Sequence, residues 1–331
     1  MVTKDIAGLN GKKVVVTGAS GYIGSALVKT LMKRSCEVVR ISRKALAPIE
    51  GTRDIVADIS ERKSWGKIIS GADLIYHLAG NTSAKTAEDS PTNNFRTTVS
   101  PINYLYEAML EKANHPRIVF TSTATVYGIT ANSKVNEKIQ PRPLTIYDEH
   151  KLIAEKLLKL YNQFALESVT LRLANVYGQS VRDSASNDRG ILNRIAKLAL
   201  QGQDLVLYGD GNYIRDYVYI DDVVDALLVT GSFPGITGEV FNIGTGIGTT
   251  LTEAFKVVSS KVWEIAKVHT EIVSQPWPVD SSPIEFRNFI ADTSHFKTLT
   301  GWRASTQFES GIMLMIGNLY NKNKKQITPT I

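Results

Sequence analysis

Cysteine is nearly absent from this sequence of 331 residues, which holds only Cys36. A single thiol excludes an internal disulfide framework and any zinc site built from several cysteines. No uninterrupted apolar run approaches the ~20 residues of a membrane span, so we expect no membrane partner. The first residues, MVTKDIAGLNGKK, also lack the apolar core of a secretory signal. Together these absences predict a soluble protein of a reducing compartment, the cytoplasm.

A strong excess of one charge is also missing. Lys and Arg number 38 against 32 Asp and Glu, a formal net charge of +6. The basic residues are scattered, and only the C-terminal NKNKK is locally dense. Because a basic stripe with interleaved aromatics is the usual mark of nucleic-acid binding, we expect no nucleic-acid partner. We predict no metal site, and we regard a small anionic molecule as the better ligand class.

The remaining composition is ordinary for a globular protein, with 43% hydrophobic and 21% charged residues. The first half alternates short β-branched runs with longer helical patterns, which favours βαβ units and a parallel sheet. Helices are predicted at Gly24–Lys33 and Tyr147–Phe164, among others. The predicted strands are Lys13–Thr17, Glu37–Ile41, Asp54–Ala57, Leu74–Leu78, Ile118–Ser122 and Ser168–Leu173.

The length suggests two domains at about 150 residues each. After residue 178 the pattern loosens into loops rich in Gly, Ser and Asp, followed by a Pro-rich stretch, QPWPVDSSP. We therefore predict a main domain over 1–178 and a smaller, mainly substrate-binding lobe over 179–331. A late strand near 239–244 is expected to return to the main sheet. Pro101, inside a helical pattern that begins near Asn94, predicts a kink or a late helix start.

The first predicted strand runs directly into a glycine-rich turn, TGASGYIG, and then a helix. Glycines in such a turn let backbone N–H groups approach a pyrophosphate at the helix N-terminus. The strand–turn–helix context at the first βαβ unit predicts a dinucleotide site in a doubly wound, Rossmann-type α/β fold. The turn residues predicted to bind the cofactor are Gly18, Ser20, Gly21, Tyr22, Ile23 and Gly24.

The end of the second strand indicates which dinucleotide is bound. NAD sites usually carry an acidic residue about 20 positions after the turn, but this region reads Arg40-Ile41-Ser42-Arg43-Lys44. Arg43 and Lys44 suit a 2′-phosphate, which favours NADP(H) and leaves NAD(H) possible; alternatively, both are solvated loop cations. Asp58 is a candidate partner for the adenine amino group, or else a cap for the next helix.

A catalytic pair is suggested by Tyr147 and Lys151, which fall four residues apart on one helix face. A nearby ammonium lowers a tyrosine pKa from ~10 towards neutrality. Such a tyrosine can take or return the proton of a sugar hydroxyl, although the spacing also occurs by chance in many helices. Upstream, a predicted strand ends in Thr121-Ser122-Thr123, whose hydroxyls are expected at the carboxyl edge of the sheet.

These motifs together resemble one family. The sequences TGASGYIG, HLAG (77–80), FTSTATVYG (120–128) and YDEHK (147–151) are similar to those of the extended short-chain dehydrogenase/reductases, the NAD(P)-dependent epimerases, dehydratases and reductases of nucleotide sugars. The similarity continues through LRLANVYG (171–178), YGDGNYIRDYVYIDDVV (208–224) and ADTSHFKTLTGW (291–302). It covers almost the whole chain, with the motifs in the family's order.

The resemblance implies a role for each matching residue. Tyr147 would be the acid/base, Thr123 would hold the sugar oxygen, and Lys151 would bind the nicotinamide ribose and tune Tyr147. It also implies cofactor contacts at Ser42, Arg43, Asp58, Ile59, Leu78, Ala79, Gly80, Tyr147 and Lys151.

The resemblance further implies a nucleotide-diphosphate sugar as substrate. Asn175 and Arg215 match positions that contact the diphosphate, and Asn94 matches an asparagine near the active site. Arg215 has a competing interpretation, a salt bridge with Asp216 or Asp221. The family's later diphosphate-binding arginine is missing from its place, which leaves Arg287 as a displaced candidate. A homodimer is implied through the helices that begin near Asn94 and Tyr147.

The two residues after Thr123 indicate which reaction of the family this chain can catalyse. The family's 4,6-dehydratases carry an Asp-Glu pair there, whereas this chain has Ala124 and Thr125, which disfavours dehydration. A 4-epimerase is favoured by TSTATVYG. An NADPH-dependent 4-ketoreductase is favoured by Ser42 in place of the acidic residue and by Thr82 in place of a lysine.

Two further functions remain possible. One is a decarboxylase-like or non-sugar reductase, and the other, more remote, is a non-catalytic NADP-sensing protein on the same fold. By the resemblance, the sugar and the base are chosen by the loops between Gln179 and Arg194 and near Trp277.

Overall fold

The structure, a computed structural model, describes residues 7–131, 134–179 and 190–327. Most of the loop between Gln179 and Arg194, predicted to select the sugar, lies outside these residues. In the described ranges the strands are β1 Lys13–Thr17, β2 Glu37–Ser42, β3 Thr52–Val56, β4 Leu74–His77, β5 Arg117–Thr123, β6 Lys134–Val135, β7 Ser168–Leu173, β8 Asn175–Tyr177, β9 Leu205–Tyr208, β10 Ile214–Tyr219, β11 Val240–Ile243, β12 Gly248–Thr250, β13 Ile272–Gln275 and β14 Ile290–Ala291.

The helices of the same ranges follow in chain order. They are α1 Tyr22–Leu31, α2 Arg62–Ile68, α3 Ala84–Asp89, α4 Pro91–Thr98, α5 Ser100–Lys112, α6 Ile146–Tyr161, α7 Ile191–Leu200, α8 Ile220–Ser232, α9 Leu251–Ala266, α10 Ser294–Thr300 and α11 Phe308–Ile327. Among the residues that the structure describes, no helix is both long and apolar enough to cross a membrane.

Seven parallel strands form the central sheet in the order β11-β7-β5-β4-β1-β2-β3. The order reverses between β1 and β4, and ligands of such sheets bind outside the carboxyl ends of the strands at this reversal. The predicted doubly wound α/β fold is therefore confirmed.

The sheet is buried on both faces. Val14 and Val16 pack into one apolar cluster and Val15 packs into another, as alternate residues of one strand must. Because both faces are covered by helices, these strands read as continuous apolar runs, and all six predicted strands are present within one or two residues. The largest difference between predicted and observed bounds is at β3, an edge strand. Its exposed Arg53 and Asp54 interrupt the apolar pattern from which the start of a strand is predicted.

The predicted helix break near Pro101 is confirmed. Helix α4 ends at Thr98, and α5 begins at Ser100 with Pro101 in its first turn. Proline has no N–H to donate, and the first turn of a helix needs none from it. The break sets α4, which carries Asn94, apart from α5.

The second half of the chain returns to the main sheet as predicted. Strand β11 pairs in parallel with β7, so the late strand expected near 239–244 is confirmed. Smaller sheets join β8, β10 and β12, then β9 with β13, and β6 with β14. Strand β8 lies before residue 178 and β10 lies after it, so the small sheet uses residues from both sides of the predicted boundary. The division into two domains stays a prediction.

Candidate active site

The turn after β1 can be built only from glycine at two positions. Gly18 has φ of +68°, and a Cβ there would lie 2.8 Å from the backbone nitrogen of Ala79. A Cβ on Gly24 would lie 2.1 Å from the carbonyl oxygen of Gly18. Gly21 is the N-cap of α1 and makes no side-chain capping bond. The first N–H groups of α1 therefore receive no side-chain cap from Gly21, and the N-terminal end of a helix favours anions.

A cavity of about 650 Å³ opens at the carboxyl edge of the sheet beside this turn. Its size is in the range of small-molecule sites, and the close-packed glycine cradle fits a dinucleotide. The residues matched to cofactor contacts line it: Gly18, Ser20, Gly21, Tyr22, Ile23, Gly24, Ser42, Arg43, Asp58, Ile59, Leu78, Ala79, Gly80, Tyr147 and Lys151. Lys44, the second cation predicted to suit a 2′-phosphate, does not line it. Thr123 and Asn94 also line this cavity, whereas Asn175 and Arg215 do not.

The cations after β2 divide into two kinds. Arg40 is buried and holds Asp54 at 2.6 Å within the sheet, so it is not free for a ligand. Arg43 is exposed and lines the cavity. Partial burial raises the pKa of Asp58, but hydrogen bonds from Ser60 and the charge of Arg43 contribute to a larger opposite effect, so the pKa lies below its usual value.

Asp58 does not cap the next helix. Its carboxylate accepts the N–H of Ser60 at 2.9 Å, and the N-cap of α2 is Glu61. The interpretation of Asp58 as a helix cap is therefore wrong. Its side chain instead lines the cavity near Arg43.

The three predicted catalytic residues meet at the sheet edge. Thr123 is the last residue of β5, Tyr147 lies in the first turn of α6, and Lys151 lies one turn later. The ammonium of Lys151 donates to the carbonyl of Thr121 at 2.9 Å and lies 4.7 Å from the ring centroid of Phe120. Burial lowers the pKa of Lys151 to about 8, so the group is still largely charged at neutral pH.

His77 joins the two strands at the reversal of the sheet. Its Nδ1 lies 2.9 Å from the hydroxyl of Thr17, which also accepts the N–H of Ala79 at 3.2 Å. Burial, followed by the charge of Lys151, lowers the pKa of His77 to about 3, so the ring is neutral. The HLAG motif thus holds the carboxyl ends of β1 and β4 together beneath the cavity.

A buried ion pair lies one helical turn beyond Lys151. Arg172 of β7 donates three hydrogen bonds to Glu155 of α6, at 2.6 and 3.1 Å to one oxygen and at 3.1 Å to the other, and both side chains are almost fully buried. Ser122, adjacent to Thr123, donates its hydroxyl to the same carboxylate. Sequence reasoning did not identify this group, because nothing in the local pattern joins residues of three elements.

Two arginines are buried together in the second half of the chain. Arg215 donates to the carbonyls of Ile214, Glu285 and Arg287, the first at 3.1 Å and the second at 2.7 Å. Burial and the charge of Arg215 lower the pKa of Arg287 to about 10.

The competing interpretation of Arg215, a salt bridge with Asp216 or Asp221, is wrong. Within the described ranges its one carboxylate partner is Glu285, at 3.9 Å. The carboxylate of Asp216 accepts N–H bonds from Thr245, Gly246 and Ala291 instead.

Asn94 is buried at the cavity wall. Its side-chain oxygen accepts a hydrogen bond from Asn81 at 3.0 Å, and its Nδ2 lies 2.6 Å from Nδ1 of His150. His150 belongs to α6, between Tyr147 and Lys151 in sequence. Asn94 therefore connects α4 to the helix that carries the candidate catalytic pair.

The chain is similar to known proteins over most of its length. The NAD dependent epimerase/dehydratase family matches residues 14–244. UDP-glucose 4-epimerase of Mycolicibacterium smegmatis is 27% identical over 331 residues, covering 94% of this chain and 100% of that protein. UDP-N-acetyl-alpha-D-glucosaminuronate decarboxylase of Bacillus cytotoxicus is 25% identical over 315 residues, covering 91% of this chain and 95% of that protein.

A solved structure shows the same fold with ligands. UDP-glucuronic acid 4-epimerase from Bacillus cereus, in complex with UDP-glucuronic acid and NAD, superimposes with a TM-score of 0.81 at 26% identity. The match covers 94% of this chain and 99% of that one.

Proposed function

We propose that this chain, which belongs to the NAD dependent epimerase/dehydratase family, is a nucleotide-sugar 4-epimerase with Tyr147 as its acid/base. The family is part of the extended short-chain dehydrogenase/reductases. The observation that carries this proposal is the single cavity that Thr123, Tyr147 and Lys151 share with the glycine turn. That turn would hold a nicotinamide dinucleotide, and the chemistry this cofactor would supply is the reversible transfer of a hydride at C4 of the sugar. The 4-epimerase proposal needs the hydride to return to the opposite face of the sugar.

The protein's own residues manage the proton in this reaction. The Tyr147 oxygen takes the proton of the sugar hydroxyl and later gives it back. The buried ammonium of Lys151, one turn along the same helix, favours the ionised phenol that this step requires. Thr123 holds the sugar oxygen from the end of β5.

A nucleotide-diphosphate sugar is supported by the buried arginine pair. Arg215 and Arg287 are 3% and 8% exposed. The carboxylate beside Arg215, that of Glu285, is half exposed and 3.9 Å away. The other described partners of the two guanidinium groups are backbone carbonyls, and neither arginine lines the cavity. A diphosphate presents oxygens that guanidinium groups bind in pairs. Burial raises the pKa of Asp148, and the charge of Arg287 opposes part of this increase, so the charge of Arg287 acts at the start of helix α6.

Dehydration is less well supported than epimerisation. The position two residues after Thr123 holds Thr125, whose hydroxyl is donated to Asp148 rather than presenting an acid to the cavity. Epimerisation at C4 needs only the acid/base and the returning hydride, and Tyr147 supplies the acid/base.

A panel of C4-epimeric pairs tests the proposal. Purified protein is incubated with UDP-glucose, UDP-glucuronic acid and UDP-N-acetylglucosamine, and the products are separated chromatographically. We expect interconversion of at least one pair with no net change in the absorbance of reduced nicotinamide. A protein that interconverts none of the UDP-, dTDP-, GDP- or CDP-sugar pairs contradicts the epimerase proposal.

A 4-ketoreductase is the second candidate, favoured by the end of β2. Ser42 stands where an acidic residue would bind the ribose of NAD, and Arg43 faces the same cavity. An exchangeable NADPH fits that arrangement and would be consumed stoichiometrically with a 4-keto sugar. Stoichiometric consumption of NADPH without interconversion of epimers identifies this reaction.

Arg43 is proposed to favour NADP(H) over NAD(H). Arg43→Leu is expected to raise the Kd for NADP(H) about ten- to a hundredfold, since it removes charge-assisted hydrogen bonds to the 2′-phosphate. Fluorescence titration of the reduced cofactors measures both affinities. Arg53→Leu, which removes an exposed arginine of β3 outside the cavity, is the matched control and should change neither. Equal affinities for NADP(H) before and after Arg43→Leu, or NAD that co-purifies and resists dialysis, contradict the preference.

We also propose a homodimer through α5 and α6. Leu110, Leu160 and Phe164, on or beside these helices, are 60%, 46% and 57% exposed in the single chain. Light scattering after size-exclusion chromatography measures the mass in solution. A monomer at micromolar concentration contradicts this assembly.

A further inference from the structure

A row of hydrogen bonds leads from the cavity to a buried carboxylate. Thr123 lines the cavity, and its hydroxyl lies 2.8 Å from the hydroxyl of Thr125. The hydroxyl of Thr125 donates to one oxygen of Asp148, and the hydroxyl of Thr145 donates to the other at 2.7 Å. Asp148 is 1% exposed and does not line the cavity. Thr125 and Thr123 therefore form the hydrogen-bonded path between this carboxylate and the cavity.

The proton count determines the direction of each hydrogen bond in the row. An ionised carboxylate donates none, and each hydroxyl has a single proton. Because Thr125 gives its proton to Asp148, Thr123 must be the donor in the contact between the two hydroxyls. The oxygen of Thr123 also accepts the N–H of Thr125 at 3.2 Å. A hydroxyl oxygen accepts two hydrogen bonds, so Thr123 offers the cavity one lone pair and no proton.

We propose that Asp148 is a positioning residue that acts through Thr125 to make the Thr123 hydroxyl an acceptor for a sugar hydroxyl, and that the row serves as a proton relay. This inference rests on the proposed function. The sugar hydroxyl then finds an acceptor for its proton at Thr123 in addition to the one at Tyr147. A keto oxygen has no proton to donate, and while Asp148 is ionised the Thr123 hydroxyl has no proton to donate to it, so the two form no hydrogen bond.

The relay also accounts for the proton when the sugar hydroxyl becomes a keto group. As the sugar oxygen gives its proton to Thr123, Thr123 passes its own to Thr125, and Thr125 passes its own to Asp148. One proton leaves the sugar, one arrives at the carboxylate, and each threonine keeps one. Thr123 now donates a hydrogen bond to the keto oxygen. It therefore accepts a hydrogen bond from the hydroxyl form of the sugar and donates one to the keto form. The Tyr147 oxygen is the main acceptor of the sugar proton in the proposed mechanism, and the row through Thr123 is a second route for it.

The surroundings of Asp148 are compatible with gaining and losing a proton. Burial raises the pKa of Asp148, and the hydroxyls of Thr125 and Thr145 and the charge of Arg287 oppose this increase. Glu88 of α3 adds to the increase. The carboxyl is therefore held by two hydroxyl donors in a site where its neutral form is less unfavourable than in water.

The first test needs no substrate. The titration of Asp148 is followed by nuclear magnetic resonance of isotope-labelled aspartate in wild type, Thr125→Val and Thr125→Ser. Valine removes the donor at nearly constant shape, so the pKa of Asp148 should rise in Thr125→Val and stay in place in Thr125→Ser. A pKa that is the same in all three proteins overturns the donor direction and with it the relay.

The second test uses steady-state epimerisation of the UDP-sugar pair that the wild type interconverts. Thr125→Val is expected to lower kcat about tenfold, the effect of one hydrogen bond, with unchanged KM and cofactor affinity. Thr125→Ser should restore kcat. The control is Thr30→Val, which removes a hydroxyl bonded within α1, and it should match the wild type. Equal kcat in Thr125→Val and wild type, or an equal loss in Thr125→Ser, overturns the proposal. If the wild type interconverts no pair, the proposed function fails, and the titration alone decides the direction of the row.

Discussion

Tyr147→Phe is expected to lower kcat for epimerisation by about 10²–10⁴-fold, the usual contribution of a positioned acid/base. The substitution removes one oxygen and keeps the ring, so the wall of the cavity is preserved. The charge of Lys151 then has no phenol to ionise, and the relay through Thr123 is the remaining path for the proton. Steady-state kinetics with the UDP-sugar pair, together with cofactor titration, measures the loss and shows that the affinity for the dinucleotide is unchanged.

The matched control for this variant is on the same helix. Tyr161, at the end of α6, donates its hydroxyl to Asn103 at 2.7 Å and stacks on Tyr106. Tyr161→Phe also loses a bonded hydroxyl, but outside the cavity, so its kcat should remain that of the wild type. Tyr147→Phe with full activity, or the same loss in both variants, contradicts the role proposed for Tyr147.

Arg172→Met is expected to lower the free energy of unfolding by about 3–5 kcal/mol, the cost of leaving one buried charge unpaired. The guanidinium donates three hydrogen bonds to the two carboxylate oxygens of Glu155 and lies 4.8 Å from the ring centroid of Tyr127. Methionine fills part of the space but leaves the Glu155 carboxylate with the Ser122 hydroxyl as its remaining described donor. Urea unfolding followed by circular dichroism measures the change.

A double variant separates the charge from the packing. In Glu155→Met/Arg172→Met both charges are gone, and replacing a buried pair with apolar side chains is often neutral or stabilising. We expect the double variant to recover most of the stability that Arg172→Met loses. A double variant as unstable as the single one would show that volume, rather than the unpaired charge, causes the loss.

The fold was predictable because its signals are local. The valines of β1 are buried on both faces. Glycine is required at 18 by its φ of +68° and at 24 by the carbonyl oxygen of Gly18 in the same turn. Edge strand β3 was shifted by two residues because its exposed side chains break the apolar pattern. The residues expected around the cofactor line one cavity, because the carboxyl ends of parallel strands meet at one edge.

Arg215 and Asp58 show where local reasoning failed. The neighbours of Arg215 in sequence suggested a salt bridge, but it donates to backbone carbonyls of a distant segment. The helix that follows Asp58 suggested a helix cap, but its carboxylate accepts the N–H of Ser60. Arg215 is met by residues about 70 positions later in the chain. The direction in which a strand side chain points, and what the next element presents to it, are set by packing.

The sequence by itself determined the glycine turn, the parallel sheet and the placement of Tyr147 and Lys151 on one helix face, since each depends on spacing within a single element or turn. Only the tertiary structure decided which groups tune that pair. Asp148 meets Thr125 across 23 residues of chain, Arg172 meets Glu155 across 17, and Arg287 meets Arg215 across 72. These contacts form between elements that the packing of the core brings together, and burial there sets the strength of each charge and hydrogen bond.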